Sequence, residues 1–190
     1  MKEIIFQPLK EENISAIVAL ANHELGTHYL CEETLKNYLQ LDNTYCIQVV
    51  LNKETVGFSM VRVLPKKDFI MQYAVTHKNI FEDLLKNSNT ILYRAHTVVS
   101  KEFQKRGIAN LLVKFTQEKY ESLADTALSV AWVKNKQCSM ENVLVKYGFY
   151  LHTEIKKYWK EDSLQKKYYC AACKKIPCIC NAKVFVKRLG

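Results

Sequence analysis

Apolar positions along this chain switch between a period of two and a period near 3.6, and the switches mark the elements. Residues Lys2 to Leu9 alternate loosely and predict a first strand, closed by Pro8. Ile14, Ile17, Val18 and Ala21 then recur at helical spacing behind Asn13, a residue type that caps helix N-termini. A loop over His23 to His28 and a second helix over Glu32 to Leu41 follow. Tyr45 to Leu51 and Thr55 to Leu64 are rich in β-branched residues and flank Asn52-Lys53-Glu54, a hairpin turn signal. Pro65 to Thr90 shows no repeat beyond a short helical run at Ile80 to Leu85, and a connection this long is expected to act as a lid over a binding site.

The stretch Val98 to Glu121 carries the strongest signal. Ile91 to Val99 (ILYRAHTVV) reads as a strand, and after it Ile108, Leu111, Leu112 and Phe115 recur at helical spacing, with Asn110, Lys114, Gln117 and Glu118 opposite. The next place on that stripe falls on Lys119, so the buried face is expected to last two turns. Between strand and helix lies Gln104-Lys105-Arg106-Gly107-Ile108-Ala109, with a glycine where the backbone must turn as the helix begins. Unpaired N–H groups and the positive end of the helix dipole meet there, a setting suited to pyrophosphate. A corner glycine also serves plain packing, so context has to decide. Downstream, Ala127 to Val133 is apolar enough for a strand buried on both faces, residues 137–147 read as a last helix capped by Gly148, and Phe149 to Tyr158 and Ala182 to Leu189 are strands.

This order, with Q-x-x-G-x-A at the corner and Val99 five residues before Gln104, resembles the GNAT superfamily of acetyl-CoA-dependent N-acetyltransferases; Val56-Gly57-Phe58 is similar to its third strand, and Tyr147-Gly148-Phe149 to its last helix-to-strand junction. The resemblance implies an α/β fold with a mixed, mostly antiparallel central sheet flanked by helices. It further implies a single domain over residues 1–190 that transfers acetyl from acetyl-CoA to a primary amine in a ternary complex. Pantetheine would pair with Thr97, Val98 and Val99, where two strands splay apart. Pyrophosphate would lie over Gln104, Lys105, Arg106, Gly107, Ile108, Ala109 and Asn110, and the Thr97 N–H would contact the oxyanion. His23, Glu24 and His28, in the first interhelical loop, become candidate contacts to an amine acceptor, either a small molecule or a protein.

The chain departs from the family where proton transfer is concerned. The family's tyrosine acid, four residues before the Gly-Phe glycine, is replaced by Leu144, and Tyr147 lies about 300° further around the helix. The positions that supply a base are Tyr93 and Ala95. Tyr93 is the candidate kept, as a pocket or water-relay residue, while strand alternation sends His96 to the opposite face. A protein that binds CoA without catalysis is the alternative these departures leave open.

Near the C-terminus, Cys170-Ala171-Ala172-Cys173 and Cys178-Ile179-Cys180 bring four thiols together in an insertion over residues 160–181, resembling a zinc knuckle. C-x-x-C is a common half-site for tetrahedral Zn²⁺; two disulfides are the competing account, disfavoured without a secretion signal. Four thiolates would close the metal shell, so the expected role is structural, leaving the chemical step to the corner. Cys31 and Cys46 are expected to be buried, and Cys138 lies at a helix start, near where the family places the cofactor thiol. Residues 154–190 hold ten basic and three acidic side chains, +7 of the chain's +9. That basic segment is either a solvated face or a grip on nucleic acid, the second reading forming part of the non-catalytic alternative. The longest apolar runs are short and the N-terminus lacks a signal-peptide pattern, so no membrane segment and a cytoplasmic location are expected.

Overall fold

The structure, a computed structural model, describes residues 4–190; Lys2, at the start of the first predicted strand, lies outside them. The elements in chain order are β1 (Ile4–Pro8), α1 (Ile14–Leu25), β2 (Gly26–Thr27), α2 (Glu32–Leu39), β3 (Thr44–Leu51), β4 (Glu54–Pro65), α3 (Lys66–Tyr73) and α4 (Lys78–Leu84). They continue as β5 (Thr90–Val99), α5 (Ile108–Tyr120), β6 (Thr126–Val133), α6 (Glu141–Lys146), β7 (Tyr150–Ile155), α7 (Lys160–Lys166), β8 (Tyr169–Cys170) and β9 (Asn181–Arg188). Seven strands form one sheet in the order β1-β3-β4-β5-β6-β9-β7, antiparallel except at β5 and β6. Helices α1 to α4 cover one face of the sheet, and α5 and α6 the other. The β3–β4 hairpin turns at Asn52 and Lys53, both with positive φ, the conformation a two-residue hairpin loop needs.

Three expectations about elements change. Pro65 to Thr90 is folded rather than open: α3 and α4 bury Phe69, Ile70, Phe81, Leu84 and Leu85 against the sheet. Gln72 and Tyr73 at the end of α3, with Thr76 and His77 just after it, reach a cleft. Asn13 precedes α1 but makes no side-chain cap; the 3₁₀ turn over Glu11–Asn13 runs into the helix, and the Ile14 N–H bonds the Glu11 carbonyl. Helix α5 lies rotated from its expected face. It buries Ile108, Leu112, Val113, Thr116, Gln117 and Tyr120 along its whole length, whereas Leu111 is 43% exposed. The polar residues are drawn inward by partners. Thr116 Oγ1 accepts from the buried Arg94 guanidinium at 2.8 Å, Gln117 donates to the Tyr147 carbonyl at 3.3 Å, and Tyr120 stacks on Tyr45 at 4.1 Å.

A bulge in β5 positions the site. Met60 pairs with His96 while Val61 pairs with Arg94, so Ala95 is an extra residue on the β5 side. One inserted residue reverses which face every later side chain takes. Tyr93 therefore shares its face with His96 and Val98, and simple alternation fails at His96.

Candidate active site and thiol cluster

Beyond Val99 the chain makes a 3₁₀ turn over Lys101–Phe103, passes Lys105 at φ 61° and Gly107 at φ 82°, and enters α5. Gly107 is the N-cap, with no side chain bonding the first turn, and a Cβ built there would meet nothing within 4 Å. The N–H groups at the start of α5 thus border open space beside the exposed Lys105 and Arg106, the arrangement that favours an anion. Gln104 works on the inner side: its amide donates to the Val99 carbonyl at 2.9 Å and to Glu24 Oε2 at 3.4 Å. Glu24 Oε1 in turn accepts from the Lys101 N–H at 3.0 Å. Glu24 and His23 belong to the last turn of α1, and Glu24 braces this corner rather than facing an acceptor. Ile108 is buried under the corner, and Ala109 and Asn110 are half-buried on the first turn.

Strands β5 and β6 are paired only from Ile91 opposite Thr126 to Arg94 opposite Ser129. From the Ala95 bulge onward they part, leaving the Ala95–Val99 edge unpaired on its β6 side. On the α1–α4 face, this segment floors a cleft of about 450 Å³ that includes Tyr93, Ala95 and His96. Its walls come from His28, Tyr29 and Tyr38 of the α1–α2 region, Gln72 and Tyr73 of α3, and Tyr158, Trp159, Asp162 and Lys166 around α7. The Tyr29 hydroxyl lies 3.1 Å from His96 Nε2. Burial, with the Lys166 charge as a smaller cause, pushes the His96 imidazole down to about 4, so it is neutral at physiological pH. Tyr93 packs on Tyr73 at 4.6 Å and Phe69 at 5.1 Å, and burial raises its phenol well above the usual range. It keeps its proton.

No family model matches the sequence, and no curated protein does. Solved structures match over nearly the whole chain. An acetyltransferase of the GNAT family from Streptococcus pneumoniae superposes with a TM-score of 0.63 at 14% identity, covering 99% of this chain and 100% of that one. The chain has the GNAT fold. NAA60 of Arabidopsis thaliana, in complex with a bisubstrate analogue, matches with a TM-score of 0.69 at 13% identity over 98% of each chain. The NatC complex bound to Gag peptide and CoA matches at 0.67 and 18% over 99% of each. Identities this low establish a common fold and leave the reaction to be argued from residues.

In this GNAT fold the corner, the parted strands and the cleft lie around the same end of β5. Leu144 is fully buried in the core under α6 and offers no proton. Cys138 is half-buried and its thiol is raised by burial, the reverse of an activated thiol. Cys46 is buried as expected; Cys31 is exposed because it precedes α2 at the cleft rim. Tyr29 and the α7 residues escaped the sequence reading. The one available signal was the clustering of aromatics at Tyr158, Trp159, Tyr168 and Tyr169 around the insertion.

The four insertion thiols converge, with all Sγ atoms within 4.8 Å of one another. Cys170 to Cys180 and Cys173 to Cys178 are each 3.8 Å apart. A tetrahedron with metal–sulfur bonds of about 2.3 Å has edges of about 3.8 Å, so the sulfur positions fit Zn²⁺. The Cys178 thiol donates to Cys170, which lowers the Cys170 thiol and raises that of Cys178, so the thiols share protons that a bound metal would displace. The insertion is not remote from the cleft. Strand β8 pairs with β2, Ala171 N–H donates to the Leu25 carbonyl at 2.9 Å, and Tyr168 packs edge-on to Tyr29 at 5.1 Å. A Cβ on Gly26 would sit 2.5 Å from the Tyr169 carbonyl oxygen, so only glycine allows this approach. The Cys178 N–H donates to Ser163 Oγ of α7 at 2.8 Å, tying the thiol loop to the cleft wall.

Half of the ten basic residues near the C-terminus have partners of their own. Lys160, Lys166, Lys183 and Lys187 pair with Glu161, Asp162, Glu141 and Glu121, and Arg188 donates to Ser88, Thr126 and the Leu84 carbonyl. The excess charge is thus spread over several elements, and nothing supports a nucleic-acid surface. No helix among the described residues is long and apolar enough to cross a membrane.

Proposed function

We propose that this protein transfers the acetyl group of acetyl-CoA to a primary amine by direct attack in a ternary complex. The observation that carries this reading is the parting of β5 from β6 between an open glycine corner on one side and an aromatic cleft on the other. Pyrophosphate binds over Gln104 to Asn110, chiefly on backbone N–H groups, with Lys105 and Arg106 adding charge. Pantetheine runs along Thr97, Val98 and Val99, and the Thr97 N–H stabilises the developing oxyanion.

The acceptor enters the cleft. A His96 imidazole near 4 cannot hold a proton taken from an alkylammonium, whose pKa is about 10.4. The amine therefore gives its proton to water and attacks in its neutral form, with the neutral Tyr29–His96 pair lining the cleft. Tyr93 shapes the floor. With Leu144 in place of an acid, the thiolate leaves unassisted, as a group of pKa about 8.5 can near neutral pH. Cys170, Cys173, Cys178 and Cys180 would hold Zn²⁺, which would tie the insertion to α7 and β2; four thiolates would leave no open position, so its part would be structural.

Free-thiol release from acetyl-CoA, measured over a panel of polyamines, amino sugars and peptides with free N-termini, tests the reading. Turnover on at least one acceptor is expected, with kcat/KM rising with pH towards the amine's own pKa and showing no inflection near 6.5. Cofactor binding without turnover on any acceptor would leave the non-catalytic alternative standing.

A further inference from the structure

We propose that Lys166 is a self-acetylation site: bound acetyl-CoA acetylates its Nζ within the same chain. The inference rests on the acetyltransferase reading above.

Lys166 is the last residue of α7 and, among the described residues, the only lysine lining the cleft. Its ammonium lies over the Tyr29 ring, 5.6 Å from the centroid, and the His96 ring lies 5.7 Å from that same centroid. One tyrosine thus touches both the amine and the cleft floor. The Lys166 charge also reaches the floor, since it is one of the causes that lower His96. The amine is not locked in place. Its side chain is 52% exposed, and it pairs with Asp162 at 2.7 Å. Lys167 follows in the left-handed region at φ 55°, which ends α7 there, so Lys166 projects from the last turn on a flexible four-carbon stem.

The chemistry balances with acetyl-CoA alone. The ammonium loses one proton to solvent water, as Asp162 is too weak a base to hold it. The neutral nitrogen attacks the thioester carbonyl, an N–C bond forms, and the C–S bond breaks. The second nitrogen proton goes with the departing sulfur, giving acetyl-lysine, CoA thiol and one released proton. The product no longer pairs with Asp162 or sits as a cation on Tyr29, so the carboxylate becomes free to meet the ammonium of an incoming acceptor.

The test uses the full chain incubated with acetyl-CoA carrying a heavy-isotope acetyl group, followed by peptide mass spectrometry. Approach to one label per chain at Lys166 is expected, at a rate independent of protein concentration and suppressed by excess CoA. Lys166→Arg should lose that label while still binding acetyl-CoA in calorimetry. Three results overturn the proposal: label spread over exposed lysines at similar rates, labelling that rises in proportion to protein concentration, or no label at Lys166. In the last case a parallel assay on the amine panel separates the causes. Turnover of a panel amine with Lys166 unlabelled sinks the self-acetylation alone, whereas absence of both acetyl-CoA binding and panel turnover takes the acetyltransferase reading with it.

Discussion

His96 offers a test of the bulged strand that needs no knowledge of the acceptor. In the folded chain its imidazole stays neutral until the pH approaches about 4, because burial penalises the charged form; unfolded, it takes a proton near 6.5. Above pH 6.5 both states are neutral and the full stability is present. Below it the unfolded state binds a proton that the folded state refuses, so stability falls as the pH falls through this window. The fall from 6.5 to about 4 corresponds to about 1.4 kcal/mol lost by pH 5.5 and about 2.5 kcal/mol by pH 4.5. Urea unfolding of the protein and of His96→Gln at pH 7.5, 5.5 and 4.5 isolates this contribution, because other titrating groups, including His77, cancel in the difference. The variant should lose less stability on acidification by those amounts. An NMR titration should show the His96 ring unresponsive from pH 8 to 5. Parallel pH profiles for the two proteins, or a His96 resonance titrating near 6.5, would refute both the dry floor and the neutral imidazole.

Three further outcomes follow from the same geometry. Gly107→Val puts a β-branched residue at φ 82°, costing about 1 to 2 kcal/mol for the left-handed backbone, and places methyl groups where phosphate would approach. A folded variant with full acetyl-CoA affinity by calorimetry would remove the corner from the cofactor site. Cys170→Ser should abolish stoichiometric zinc in elemental analysis, lower the melting temperature, and reduce acceptor turnover while acetyl-CoA affinity persists, since α7 and Tyr29 lean on the thiol loop. Unchanged turnover would return the insertion to a purely architectural role. Gly26→Ala, with its Cβ 2.5 Å from the Tyr169 carbonyl, should cost about 1 to 3 kcal/mol in chemical denaturation by forcing β2 from β8; a neutral effect would mean that this pairing contributes little.

What the sequence determined by itself was local. The main strands and most helices followed from periodicity, though α3, α7 and the short β2 and β8 did not; the corner followed from a glycine between a β-branched run and a helical one, and the thiol cluster from four cysteines within eleven residues, close enough for one loop to gather them. Tertiary structure decided what depends on residues far apart in the chain. The face taken by His96 was set by a bulge that exists only in the pairing of β5 with β4, and strict alternation cannot foresee one extra residue. The buried face of α5 was set by Arg94 and Tyr45, which reward Thr116 and Tyr120 for pointing inward although the apolar count favoured Leu111. Tyr29, His96 and Lys166 became one site only when β2 paired with β8, across more than a hundred residues. Composition and spacing record neighbours along the chain, and a cleft is made of neighbours in space.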